Sequence, residues 1–151
     1  MHRILIVYST QTGRTRQLVE ACAAGITADD AADLTVKVAC DATTDDLLAC
    51  DGLMLATPEN FGYMSGLVKD FLDRTYYPAE GKTIGLPFGL MVSCGNDGRG
   101  AVAAIQRIAT GYQWKVFAEP LIACGDPTEE HLAQARTLGE TLTAGLSVGA
   151  F

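Results

Sequence analysis

Positive charge is scarce in this chain. Lys and Arg number 11 against 18 Asp and Glu, a formal net charge of −7, so no basic stripe exists to displace counterions and wrapping a nucleic acid is disfavoured. Histidine is scarcer: His2 and His131 are the only two. Neither belongs to a cluster with metal-ligand spacing, and no G-x-S-x-G elbow is present to support Ser-His-Asp hydrolysis. Cysteine occurs as Cys22, Cys40, Cys50, Cys94 and Cys124, an odd set without C-x-x-C spacing, which disfavours a disulfide framework or a zinc ribbon. Most of these sit in apolar surroundings, where a free Cys acts as a small hydrophobe. No apolar run approaches the roughly 18 residues of a membrane span. The apolar part of the N-terminal segment is about five residues, below the about 7–15 of a signal peptide core. The expectation is a soluble protein of the reducing cytoplasm.

What is present is a regular alternation. Arg3–Tyr8 is a continuous branched run, as a strand buried on both faces should be. From Gly13 the period changes, and Leu18, Val19, Cys22, Ala23 and Ile26 share one helical stripe. Leu34–Ala39 alternates as a strand nearer an edge. Thr43–Cys50 forms a short helix, capped by Thr43 or Thr44. Gly52–Ala56 is a third strand, and Met64, Leu67, Val68, Phe71 and Leu72 mark the inward side of a helix. Tyr76–Pro87 reads as a loop. Phe88–Ser93 is a fourth strand and Ala101–Tyr112 a helix, with Val102, Ile105, Ile108 and Tyr112 inward. Val116–Ala123 is a fifth strand in which Pro120 signals an edge or a bulge. Asp126-Pro127-Thr128-Glu129 has the cap, first-turn proline and glutamate of a helix start; Leu138, Leu142 and Leu146 follow as its buried side. Such units predict one domain over residues 1–151, an α/β doubly wound parallel sheet with helices on both faces. Ligands bind such sheets beyond the strand carboxyl ends.

The first of those ends, Ser9-Thr10-Gln11-Thr12-Gly13-Arg14-Thr15, runs straight into a helix. Unpaired N–H groups and a positive dipole end welcome a phosphate there. A cap needs one hydroxyl, and this loop carries four. Neither G-x-G-x-x-G nor G-x-x-x-x-G-K-S/T is present, so it is neither a dinucleotide fingerprint nor a nucleotide P-loop.

Thr10–Thr15, T-Q-T-G-R-T, resembles the S/T-x-T-G-x-T phosphate loop of flavodoxins. Thr57–Gly66, T-P-E-N-F-G-Y-M-S-G, resembles the T-P-x-x-F-G-x-M-S-G segment of NAD(P)H-dependent FMN and quinone reductases of the flavodoxin superfamily, and Lys69–Arg74 continues the likeness. The resemblance implies a flavodoxin-like five-stranded sheet of order 2-1-3-4-5 and an FMN cofactor. Ser9, Thr10, Gln11, Thr12, Gly13, Arg14 and Thr15 would hold its phosphate. Pro58, Glu59, Asn60, Phe61, Gly62 and Tyr63 would border the isoalloxazine ring, with Ser93, Cys94, Gly95, Asn96, Asp97 and Gly98 opposite. It further implies NADH or NADPH as electron donor, a small-molecule or redox-protein acceptor, and a homo-oligomer. No catalytic acid or base is named, because a flavin carries the hard chemistry itself. Cys94 has no second cysteine close in sequence and reads as dispensable.

Two functions stay open, an NAD(P)H-dependent flavin or quinone oxidoreductase and a flavodoxin-type electron carrier. The only tryptophan, Trp114, lies far from the loops that an electron carrier's ring-flanking Trp would occupy, which weakens the carrier. The chain is shorter than the quinone reductases, which weakens the enzyme. Between Asp29 and Asp51 stand seven aspartates with Lys37 as the one basic residue. This is either a solvated face or a docking surface for a basic partner. A two-component receiver domain would need acids that Tyr8–Thr10 does not supply. Cys94 to Arg99 is C-x4-R, one residue short of a cysteine phosphatase loop.

Overall fold

The computed structural model covers residues 1–151. Its elements run β1 His2–Tyr8, α1 Arg14–Thr27, β2 Ala32–Val38, α2 Thr44–Ala49, β3 Gly52–Asn60, β4 Tyr63–Met64, α3 Gly66–Ala79, β5 Pro87–Cys94, α4 Arg99–Tyr112, β6 Lys115–Val116, β7 Leu121–Cys124 and α5 Glu129–Val148. The sheet is ordered β2-β1-β3-β5-β6, with β7 also paired to β5 and β4 paired to β3. All pairings are parallel except β3 with β4.

Side chains alternate across the sheet with the period of two that strands impose. Leu5 and Val7 of β1 enter one core cluster with Phe71, Phe88 and Ile105. Ile4 and Ile6 enter the other with Leu18, Cys22 and Leu142. Helices therefore cover both faces, which explains the unbroken apolar run of β1. No helix is long and apolar enough to cross a membrane.

Several expectations need correction. The sheet has seven strands rather than five. Phe117 N still donates to Phe88 O at 3.2 Å, the pairing lapses over residues 118–120, where Pro120 has no N–H to donate, and β6 and β7 share the fifth position. The third strand does not stop at Ala56 but continues to Asn60, where it turns back as β4. Helix α3 persists through Pro78 to Ala79, so the loop begins at Glu80 rather than Tyr76. Proline in a last turn removes only one ladder bond, and this end is open to solvent. Leu67 is exposed. Helix α5 starts on Thr128, not Asp126: Thr128 Oγ1 accepts from His131 N at 3.2 Å, and His131 Nδ1 accepts from Thr128 N at 3.1 Å. An imidazole thus completes the capping box in place of a carboxylate. Thr43 caps α2 in the same manner, with Asp46 as its partner.

Candidate functional site

The carboxyl ends of β1, β3 and β5 converge on a cleft of about 150 Å³ lined by Gln11, Thr12, Arg14, Thr15, Pro58, Glu59, Asn60, Ser93, Cys94 and Gly95. Residues from all three loops singled out in the sequence meet here.

The first loop ends in Gly13 at φ 88°, the N-cap of α1, with no side chain capping the helix and no acid in its first turn. The first intrahelical bond runs from Gln17 N to Gly13 O. The N–H groups of residues 14–16 therefore face the loop mouth without a protein partner from a cap, as an anion site requires. The four hydroxyls divide by task. Thr10 Oγ1 accepts from Gly13 N at 3.1 Å and shapes the loop. Thr15 and Ser93 are buried and share a 2.6 Å hydrogen bond between their hydroxyls, tying the first loop to β5. Ser9 is buried, and Thr12 alone of the four is exposed. Arg14 is held by Asp126 at 2.9 Å, across the loop that follows β7.

The second loop is a two-residue hairpin between the paired residues Asn60 and Tyr63. Both tip residues have positive φ, 51° at Phe61 and 74° at Gly62, the signature of a type I′ turn. Phe61 is bulky and adopts a conformation that glycine or asparagine would take without strain, at a cost on the order of 1–3 kcal/mol. Its ring is wholly exposed. The rest of the segment is built to hold this tip. Buried Thr57 accepts from Ser65 N at 3.0 Å through its hydroxyl, Ser65 Oγ caps α3 by accepting from Val68 N at 3.3 Å, and Met64 is buried in the core. Glu59 also lines the cleft, and its carboxylate accepts from Gly98 N and Ala101 N at the start of α4. Gly100 lies under the Gly62 carbonyl so closely that a Cβ there would overlap it.

The third loop leaves β5 at Cys94. Gly95, Asn96 and Asp97 are exposed, and Gly98 is the N-cap of α4. Burial, foremost, and the Cys124 thiol beside it push Cys94 up to about 12, with Glu59 and Asp97 adding to the effect. The neighbour that sequence proximity did not reveal is Cys124, level with Cys94 in the β5–β7 ladder and 3.1 Å away, sulfur to sulfur. Pairing across a parallel sheet leaves no local spacing, so no short motif could have shown it. The same holds for Asp126 against Arg14 and for Gly100 against Gly62. Trp114 is remote from the cleft, packed on Phe88 and Tyr112.

The seven aspartates do not make one surface. Asp33 lies in β2, with Asp29 and Asp30 before it and Asp41 and Asp45 after its far end; these two ends are separated by roughly 20 Å of strand. Asp46 is taken by Lys37 and Asp51 by the Arg3 amide. A solvated face is the reading this placement favours.

The model of the family described as NADPH-dependent FMN reductase matches residues 26–124. A flavodoxin of Aquifex aeolicus is 27% identical, over 98% of this chain and 89% of its own length. An NAD(P)H dehydrogenase (quinone) of Acidithiobacillus ferrooxidans is also 27% identical, over 84% of this chain and 72% of that one. Among solved structures, a flavodoxin from the domain Archaea superposes with a TM-score of 0.87 at 21% identity, covering 96% of this chain and 99% of that one. The architecture is thus the α/β flavodoxin-like fold.

Proposed function

Because the chain belongs to the NADPH-dependent FMN reductase family, we propose that it binds FMN at the carboxyl edge of its sheet as an NAD(P)H-dependent flavin or quinone oxidoreductase. The observation that carries this is the convergence of an uncapped helix start with two loops in one cleft. The α1 amides and the Thr12 hydroxyl would take the phosphate, with Ser9, Thr10, Gln11, Gly13, Arg14 and Thr15 completing or shaping the loop. Asn60, Phe61, Gly62 and Tyr63 would border one side of the ring and Gly95, Asn96 and Asp97 the other. Pro58, Glu59, Ser93, Cys94 and Gly98 would act chiefly by fixing those loops. Bound FMN would supply the hydride and electron chemistry. The protein's part is to hold it and to keep one ring face open to a donor.

We place residues 1–151 in one domain working in the cytoplasm, with a second copy of the chain covering part of the cofactor. A second reading, an electron carrier for a redox protein, is favoured by the likeness to a flavodoxin over nearly the whole chain. The dispersal of the aspartates stands against it.

Flavin titration by fluorescence quenching tests the cofactor: FMN should bind in clear preference to riboflavin and FAD. Equal binding of riboflavin would remove the phosphate site. Anaerobic mixing of the FMN-loaded protein with NADH or NADPH separates the two functions. Saturable bleaching of the flavin supports the enzyme. No bleaching by either nucleotide, with rapid bleaching by a flavodoxin reductase, supports the carrier.

A further inference from the structure

Cys94 and Cys124 close the sheet's carboxyl edge side by side, and we propose that they form a reversible dithiol–disulfide pair at the rim of the cleft. The pair is registered across neighbouring parallel strands. That spacing is about 4.8 Å, inside the roughly 4.4–6.8 Å between Cα atoms that a disulfide spans. The sulfurs stand 3.1 Å apart, so about 1 Å of travel brings them to the bonded length of about 2.05 Å. Side-chain rotation supplies such a movement without shifting either strand. Packing alone explains the burial of Cys94, but it does not explain a second thiol exposed to solvent and turned onto the first.

The two thiols differ in a way that fixes the order of events. Cys124 is exposed, whereas Cys94 is buried and its thiol strongly disfavours ionisation. A low-molecular-weight disulfide is therefore attacked by the Cys124 thiolate. The S–S bond of the oxidant breaks and one small thiol leaves. Cys94 then attacks the Cys124 sulfur of the mixed disulfide, loses its proton to water, and expels the second small thiol. Two hydrogens and two electrons pass from the protein to the oxidant, and one disulfide is exchanged for another. Excess thiol reverses the sequence.

Closure has a consequence for the adjacent loop. Asn96 O accepts from Cys124 Sγ at 2.7 Å and from Cys94 Sγ at 3.6 Å. A disulfide has no S–H to donate, so oxidation frees the carbonyl that anchors residues 95–97. This part of the inference rests on the proposed flavin site, one side of which that loop would form.

The full chain, incubated with glutathione at increasing ratios of disulfide to thiol, then acid-quenched and alkylated, tests the pair by mass spectrometry. Expected are the tryptic peptides carrying Cys94 and Cys124 joined, about 2 Da below the sum of their free-thiol masses, one hydrogen per thiol. Cys94→Ser should instead leave a glutathione adduct on Cys124. A wild-type protein whose Cys124 keeps glutathione without joining Cys94 would overturn the proposal. So would two free thiols under conditions that modify exposed Cys40. FMN affinity is measured in both states, and the disulfide form should bind about two- to tenfold more weakly, the effect of one lost hydrogen bond. Equal affinity in the two states would overturn the loop coupling. Absence of FMN binding in both states, with the disulfide formed, would instead sink the flavin reading and leave the pair standing.

Discussion

The carboxylate of Glu59 straddles the start of α4, with Oε1 accepting from Gly98 N and Oε2 from Ala101 N, each at 3.2 Å. Glu59 sits near the end of β3, and α4 follows β5, so one side chain joins two of the three loops of the cleft. Negative charge at a helix N-terminus is favourable, and two amides that a cap would otherwise serve are paired here. Glu59→Ala should cost about 1–2 kcal/mol of stability, read from urea denaturation. Glu59→Gln keeps one acceptor and should cost less. Equal stability of all three proteins would show that the hairpin is held by other contacts.

The hairpin also rests on Gly100 through its backbone. A methyl at residue 100 would overlap the Gly62 carbonyl, so Gly100→Ala should destabilise by about 1–3 kcal/mol, as overpacking does. Gly66, the first residue of α3, has open space around its Cβ position. Gly66→Ala should therefore stabilise by about 0.5–1 kcal/mol. Thermal unfolding of the two variants should move in opposite directions.

The positions of the three loops were legible in the sequence because strand and helix periods bracket them. The order of the sheet was also largely legible, since a chain of alternating strands and helices has few ways to bury both sheet faces. The split of the fifth strand was only half visible: Pro120 announced an irregularity but not its length. Roles within the loops were less legible. The protein partners of two of these side chains were not legible: Thr15 bonds to Ser93 and Glu59 to α4. Both partners are long-range, and no local pattern records them.

Alkaline pH should unfold this protein sooner than its acidic composition suggests. Burial, foremost, pushes Cys22 and Cys50 up from 9.0 to about 12, and likewise Tyr112 from 10.0 to about 12. These folded-state values lie above the unfolded ones, so the groups favour the fold fully below about pH 9. Above it the unfolded chain binds fewer protons, and each group removes up to about 1.4 kcal/mol per pH unit until its folded value is reached. Denaturant midpoints measured between pH 8 and 11 should fall steadily. Iodoacetamide at pH 8 should label exposed Cys40 and Cys124 but spare Cys22 and Cys50. A thiol with a value near 12 is ionised there only to about one part in 10⁴.

Thr12 and Thr15 should respond differently to truncation. Thr12 is exposed and has no partner that Thr12→Ala would orphan, so stability should change little. FMN affinity should fall about ten- to a hundredfold, since a hydrogen bond to a charged group is worth roughly 1.5–3 kcal/mol. Thr15→Ala leaves the buried Ser93 hydroxyl unpaired and should lower both affinity and stability, the latter by about 1–3 kcal/mol. Unchanged FMN binding in both variants would remove the loop from the cofactor site.

Phe61 offers the sharpest separation of fold from function. Its φ of 51° is strained for a phenylalanine, and its ring makes no buried contact that would repay the strain. A residue kept there against its own backbone preference is expected to act on something outside the chain. Phe61→Gly should remove the strain and raise stability by about 1 kcal/mol, partly offset by the greater freedom of glycine in the unfolded state. The same change removes an aromatic face from the rim of the cleft. If that face stacks on the flavin, FMN affinity should drop by up to about tenfold, from a contact worth about 0.5–1.5 kcal/mol. Riboflavin, which carries the same ring, should lose the same factor, whereas Thr12→Ala should affect FMN alone. A variant that is more stable and binds both flavins as tightly as the parent would place Phe61 outside the cofactor's reach and assign the exposed ring to a different partner.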